Sequence, residues 1–364
     1  MRVTAVAWER EDTAACRGQL RFAVVKILRG SAVGLPVALI GLLLLQVWGS
    51  LSLASPMGLA LLSMAVAAPL FALLRLGADA LKAVDAALQA ITLENLVAPA
   101  VMLLVCALFW LRGEGMGPVA LLGAGIAGFA LAMAAHWRAL LKRLPQPVQP
   151  AAAVAQGSIP ASETRALWAN SVLSILFMHL PFVLRPWVAD PAEIGVFAVA
   201  HKLVNIITTL LILLAAVFGP SFARAAGRQD RETLRTLLWQ TQCLSLAIFV
   251  PLIGFLLLAG DQLTGLFNLP VNSLLPYIVA LSAGQLVNAA TGLPGVLLNM
   301  AGAARRELNT LLAALAFAAL LAPGVGAFYG AEGIAWLFSA ALALKNLASF
   351  AVARHHLKYW STTQ

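Results

Sequence analysis

Long apolar runs joined by short polar connections make up most of the chain. Ten stretches of about twenty residues fall near 31–51, 57–76, 94–111, 115–136 and 167–188, then 195–219, 238–260, 271–292, 308–329 and 331–353. At 1.5 Å of helical rise per residue, each can cross the roughly 30 Å of hydrocarbon in a bilayer. None shows the short apolar/polar alternation of a lipid-facing strand. The pattern predicts an all-α fold, a polytopic membrane helix bundle of about ten transmembrane helices.

Composition agrees. With 61% hydrophobic and 11% charged residues among 364, the chain carries less than half the charge usual for soluble domains, where about a quarter of residues are charged. A formal charge of +9 could reflect nucleic-acid binding, but the positions of the cations point to the membrane and away from nucleic acid. Basic residues alternate between successive connections. One side holds Arg10, Arg17, Arg21, Lys26, Arg29, Arg75 and Lys82, then Arg138, Lys142, Arg143 and Arg165. It continues with Arg224, Arg228, Arg231, Arg235, Arg305, Arg306, Arg354 and Lys358. The other side holds chiefly Arg112 and Arg185 among Glu114, Asp190, Glu193, Asp261 and Glu332. The positive-inside rule therefore places both termini in the cytoplasm and requires an even number of spans. Gln19–Arg29 reads as a basic amphipathic piece lying on the inner leaflet. Glu9, Glu11 and Asp12 precede any apolar core, unlike a cleavable signal peptide. Cys16, Cys106 and Cys243 have no metal-ligand spacing and read as small apolar packers.

The longest polar connection, 137–166, contains PQPVQP and a Gly157, Ser158, Pro160 cluster, the composition of an extended linker. It divides the chain into a cytoplasmic arm (1–30), a front lobe of four spans (31–136), the linker, a rear lobe of six spans (167–353) and a cytoplasmic tail (354–364). The last span-pair recurs weakly: GIAGFALAMAAHWRALLKRL from 125 parallels GIAWLFSAALALKNLASFAVARHHL from 333. Repeats in the same orientation are one arrangement known in secondary transporters.

Polar groups inside apolar spans usually face a bundle interior or a hydrated cavity, because hydrocarbon penalises them strongly. In the sixth span His201, Asn205 and Thr208 or Thr209 follow helical spacing, with Lys202 beside them. This face either lines a substrate cavity or bonds a neighbouring helix while Lys202 snorkels to the interface. Gln285 and Asn288, three apart in the eighth span, read as interhelical amides or ligands. Lys345, thirteen residues or so into the last span, is the least ambiguous intramembrane cation, with no loop near enough to neutralise it. His179 and Arg185 in the fifth span are weaker candidates. The acidic residues fall in connections or at span ends, Glu94 lying closest to an interior site, so no buried carboxylate relay is expected. No glycine-rich nucleotide loop, His/Cys metal cluster or nucleophile elbow occurs, and neither a cofactor, a metal nor an enzyme activity is expected.

The run LPFVLRPWVADPAEIGVFAVAHKLVNIITTLLILLAAVFGPSFARAAGRQDRETLRTLLWQ resembles the start of the second lobe of polysaccharide, or O-antigen, flippases of the multidrug/oligosaccharidyl-lipid/polysaccharide (MOP) exporter superfamily. Its features are Asp190-x-x-x-x-Gly195-x-Phe197, Lys202, and Gly219-Pro220-Ser221-Phe222 before an arginine-rich helix. LPGVLLNMAGAARRELNTLLAALAFAALLAPGVGAFYGAEGIAW is similar to the later Pro, Leu-Asn, Gly, basic-pair pattern of that group. The resemblance covers 164–357, and over 20–144 it rests on helix spacing. It implies the MOP/MATE-like architecture of two lobes of six helices around a cavity, with the first two helices lacking here. It also implies translocation of a polyprenyl-diphosphate-linked oligosaccharide across a bacterial cytoplasmic (inner) membrane for surface polysaccharide or lipopolysaccharide biosynthesis. The partners implied are that substrate, membrane lipids and other polysaccharide-assembly proteins. Lys202 and Lys345 would attract the diphosphate. The alternatives are a multidrug exporter on the same scaffold, which would be expected to carry buried carboxylates, and a non-transporting truncated paralogue. A membrane polymerase or ligase would need larger outer loops.

Overall fold

The computed structural model describes residues 2–49, 52–144, 161–184 and 191–359, and these contain helices and no strand. The helices are α1 (Arg2–Glu9), α2 (Thr13–Val47), α3 (Pro56–Ala83), α4 (Ala87–Leu111), α5 (Pro118–Arg143), α6 (Ala161–Leu184) and α7 (Pro191–Gly227). They continue with α8 (Arg231–Leu258), α9 (Gly260–Leu266), α10 (Leu275–Thr291), α11 (Pro294–Met300) and α12 (Ala304–Tyr359). Eight of them are long and apolar enough to cross a membrane. The ten expected spans map onto these eight and α10, because α12 holds two of them. Gly330, with φ +56°, breaks its helical geometry and separates a first half from a second. α10 has 17 residues and is followed by α11 across a break at Gly292, where φ is +72°. Both breaks require a left-handed backbone, which glycine adopts without a Cβ penalty.

Local signals explain the helix starts. Ser55 accepts a hydrogen bond from the Gly58 N–H just before Pro56, and Asp230 accepts from the Thr233 N–H at the start of α8; each side chain satisfies an otherwise orphaned donor. Residues 19–29, read from the sequence as a basic amphipathic piece on the inner leaflet, are helical. They belong to one uninterrupted helix with the first span, and the boundary drawn at residue 30 falls inside α2. The sequence marks them as a basic amphipathic piece; such a face does not by itself end a helix, and no proline interrupts the hydrogen-bond ladder between Thr13 and Arg29.

The chain forms two compact units, Met1–Gly157 and Ser158–Gln364. In the front unit α5 packs on α3 and α4, with Gly128 so close to Ala98 that a Cβ would lie 2.9 Å from the Ala98 Cα. In the rear unit α10 packs on α12, where a Cβ on Gly284 would lie 2.7 Å from the Ser339 Cα. Small residues allow such close approach where lipid supplies no hydrophobic drive between helices. The rear core gathers Phe197, Phe222, Phe249, Ile278, Leu281 and Leu311. A front cluster of Cys16, Leu20, Leu81, Val84, Leu140 and Leu144 joins the start of α2 to the ends of α3 and α5. Arg17 secures this join by donating to the Leu144 carbonyl at the end of α5, and Trp8 Nε1 donates to Asp85 Oδ2 at 3.1 Å.

Candidate functional site

In the rear unit, α7 and α10 carry a continuous hydrogen-bonded string of neutral polar side chains. Helical spacing places His201, Asn205 and Thr208 on one face of α7, and Gln285 with Asn288 on one face of α10. The two faces meet. Asn288 Nδ2 donates to Gln285 Oε1 at 3.0 Å, and Gln285 Nε2 donates to Thr208 Oγ1 at 2.8 Å. Thr208 Oγ1 donates in turn to Asn205 Oδ1 at 3.2 Å, and Asn205 Nδ2 lies 3.2 Å from His201 Nδ1. The three bonds from Asn288 to Asn205 run in one sense, so each polarises the next.

At the far end of the string His201 is buried in an aromatic enclosure. Its ring centroid lies 5.0 Å from Phe182, 5.6 Å from Phe197 and 6.1 Å from Phe338. Gln285 is buried as well, whereas Asn205 and Asn288 are partly exposed. The string is thus tied to packed helices at His201 and Gln285 and partly exposed at Asn205, Thr208 and Asn288.

The other sequence candidates lie elsewhere. Lys202 is exposed on α7, and His179 is exposed on α6. Arg185 lies outside the described residues. Lys345 corrects an expectation: it is not a lone intramembrane cation. Its Nζ sits 2.7 Å from Glu307 Oε1 and 3.5 Å from Asn346 Oδ1. Glu307 corrects a second one, since it is a buried carboxylate within the bundle, only 4% exposed. Its other oxygen accepts from Ser349 at 2.6 Å and from Thr310 at 3.4 Å. α11 closes over the pair, and a Cβ on Gly295 would collide with Glu307 Oε1. A cation in so apolar a setting needs a countercharge and further hydrogen bonds, and the α12 hairpin supplies both.

The front unit has a related cluster. Lys82, 6% exposed, pairs with Glu94 at 3.2 Å and with Asp79 at 3.3 Å, while Arg75 pairs with the other Glu94 oxygen. Nearby, the two ring nitrogens of buried His136 lie 2.7 Å from the Ala132 carbonyl and 3.0 Å from that of Ala90, tying α5 to α4. Trp137 Nε1 donates to the Leu73 carbonyl at 3.2 Å, tying α5 to α3.

Glu307, Thr310, Ser349 and His136 were not singled out from sequence. A signal for two of them existed: Thr310 and Ser349 stand 20 and 19 residues either side of Gly330, as an antiparallel hairpin would pair them. Among the described residues no group of three or more His, Cys, Asp or Glu side chains is placed to hold a metal ion.

No family model matches the chain, and no curated protein matches it. Solved structures do match over the whole of this chain and 84% of theirs. One is a MATE in complex with MaL6, at 13% identity and a TM-score of 0.78. Another is an outward-facing multidrug resistance MATE family transporter of the MOP superfamily, at 12% and 0.72. A third is a MOP superfamily transporter from Pyrococcus furiosus, at 13% and 0.73, whose reversed binding-pocket polarity suggests a different function. This chain therefore has the fold of the MATE-type transporters.

Proposed function

We propose that the chain is a membrane transporter that moves a polyprenyl-diphosphate-linked oligosaccharide between leaflets of a bacterial cytoplasmic membrane, with both termini cytoplasmic. The observation that carries this reading is the neutral string on α7 and α10. Amides, a hydroxyl and an imidazole can exchange their mutual hydrogen bonds for those of sugar hydroxyls, and the one bond between the helices, Gln285 to Thr208, is of a kind worth only about 0.6 kcal/mol in a membrane protein. The substrate class is supported by charge. Among the described residues of the membrane-length helices, the buried Glu307 and the partly buried Glu94 are each bonded to a lysine. Neither offers a free anion to a cationic drug, and the chain has an excess of nine positive charges for an anionic diphosphate. Lys202, exposed one residue from His201, is the cation nearest the string in sequence. Lys345 is not assigned a diphosphate role, because Glu307 neutralises it.

A second reading is export of small cationic molecules. The fold favours it at least as well, since one of the similar structures is a multidrug resistance transporter. Proteoliposomes containing the full chain discriminate. Protein-dependent translocation of a fluorescent polyprenyl-diphosphate sugar, without accumulation of a cationic dye, is the expected result. The reverse pattern would replace the first reading by the second, and movement of neither would remove both. In cells, Lys202→Ala is expected to lower surface glycan at normal expression.

A further inference from the structure

Six basic side chains gather at one end of the α12 hairpin: Arg305 and Arg306 from its start, and Arg354, His355, His356 and Lys358 from its finish. The reversal at Gly330 brings the two groups together, as Arg306 Nη1 lies 3.1 Å from His356 Nδ1. All except His356 are exposed. Carboxylates of the hairpin itself do not offset them. From residue 300 onward the chain has only Glu307 and Glu332 as acids. Glu307 is buried and bonded to Lys345. Glu332 precedes Arg354 by 22 residues, about 33 Å along a helix. His356, beyond the expected end of the last span, registers the excess: burial first, then the charges of Arg306 and His355, hold its imidazole below the usual range. The basic residues around the α7–α8 turn differ, because Asp230 and Glu232 are interspersed among Arg228, Arg231 and Arg235.

The surroundings indicate what would meet this charge. Leu344 and Leu347 are exposed earlier on the second half of α12, as is Leu312 on the first. Arg354 then lies over the Phe350 ring at 5.7 Å, and Lys358 over Tyr359 at 5.4 Å. Apolar, aromatic and cationic side chains thus follow in the order in which a helix leaving a bilayer meets hydrocarbon, interface and phosphate. We propose that the basic end of the α12 hairpin is a binding surface for the phosphate headgroups of anionic phospholipids in the adjoining leaflet. Arginine forks bind phosphate oxygens bidentately, and clustered cations next to a span attract acidic lipid. The inference is independent of what the protein transports.

The test counts lipids retained by the purified full-length protein in native mass spectrometry, titrated with phosphatidylglycerol or with phosphatidylcholine. The combined variant Arg305→Gln, Arg306→Gln, Arg354→Gln and Lys358→Gln is expected to weaken phosphatidylglycerol binding by at least about fivefold, the worth of one such cation, and to leave phosphatidylcholine unchanged. Replacing Arg228, Arg231 and Arg235 by Gln should change it by less than about twofold, because neighbouring acids already offset those charges. Arg305→Lys with Arg306→Lys and Arg354→Lys keeps the charge and should retain most of the binding, which separates loss of charge from loss of fold. Undiminished phosphatidylglycerol binding in the Gln variant would overturn the proposal. So would equal loss in the Lys variant, or displacement of the lipid by excess inorganic phosphate, which would make the surface a site for free anions.

Discussion

The front unit sets its buried cation, Lys82, in a cluster of charges, whereas the rear unit has, besides its Glu307–Lys345 pair, a string of hydrogen-bonded imidazole, amide and hydroxyl side chains. In front, Lys82, Glu94, Asp79 and Arg75 satisfy one another across α3 and α4. In the rear, hydrogen bonds among His201, Asn205, Thr208, Gln285 and Asn288 join α7 to α10. The difference matters for a carrier. Removing one member of a buried ion pair costs about 3–5 kcal/mol, whereas an interhelical hydrogen bond between neutral groups averages about 0.6 kcal/mol. Groups that must release each other to admit a substrate belong to the second kind. The charged clusters hold helices in place, and the string is where partners can change.

The largest expected effect comes from the rear ion pair. Glu307→Ala leaves the largely buried Lys345 without its countercharge, and thermal unfolding in detergent should show a loss of about 3–5 kcal/mol. Replacing both partners, Glu307→Gln with Lys345→Met, should restore most of it, because the desolvation of both charges is then avoided. Glu94→Ala in front should cost less, since Asp79 still pairs with Lys82.

Close helix contacts come next. Gly284→Ala would set a methyl against Ser339, and Gly128→Ala one against Ala98. Each should lower stability by about 1–3 kcal/mol through overpacking. A neutral outcome at either site would show that the α10–α12 or α4–α5 contact is looser than described.

Asn205→Leu and Gln285→Leu sharpen the contrast from the other direction. Stability should move by under about 1 kcal/mol. Translocation in proteoliposomes should fall at least about tenfold, equivalent to about 1.4 kcal/mol in the barrier. Large destabilisation with proportionate loss of transport would mark the string as structural only.

The smallest effect concerns the start of α8. The Thr233 hydroxyl and its backbone N–H hold the Asp230 carboxyl below the usual carboxylate range. A depressed native value means that the capping contribution is full above the unfolded value of about 3.9 and fades as pH falls below it toward the native value. Hydrogen exchange at 231–234 should therefore show the same protection relative to Asp230→Ala at neutral and mildly acid pH, and a shrinking difference only in stronger acid.

The helices were legible because hydrocarbon imposes length and composition directly on the sequence. Half of the string was legible for a similar reason: helical spacing alone puts His201 with Asn205, and Gln285 with Asn288, on common faces. That the two faces meet through Thr208 depends on tertiary packing of α7 against α10, which no local pattern encodes. Glu307 was missed because it stands one residue before an expected span, where carboxylates are ordinarily solvated. Its burial follows from the hairpin laying Ser349 and Lys345 against it and from α11 closing over the site at Gly295. The continuity of α2 escaped notice because basic, polar residues at its start imitate an interfacial segment.

Access of water to the string is the most direct test of its role. With Cys16, Cys106 and Cys243 replaced by Ala, Thr208→Cys and Asn288→Cys can be treated in membranes with a small water-soluble thiosulfonate. Both are predicted to react, whereas Leu286→Cys, on the exposed apolar face of α10, should stay protected by lipid. If Thr208→Cys and Asn288→Cys are as unreactive as Leu286→Cys, the string is helix packing alone and does not line a transport path.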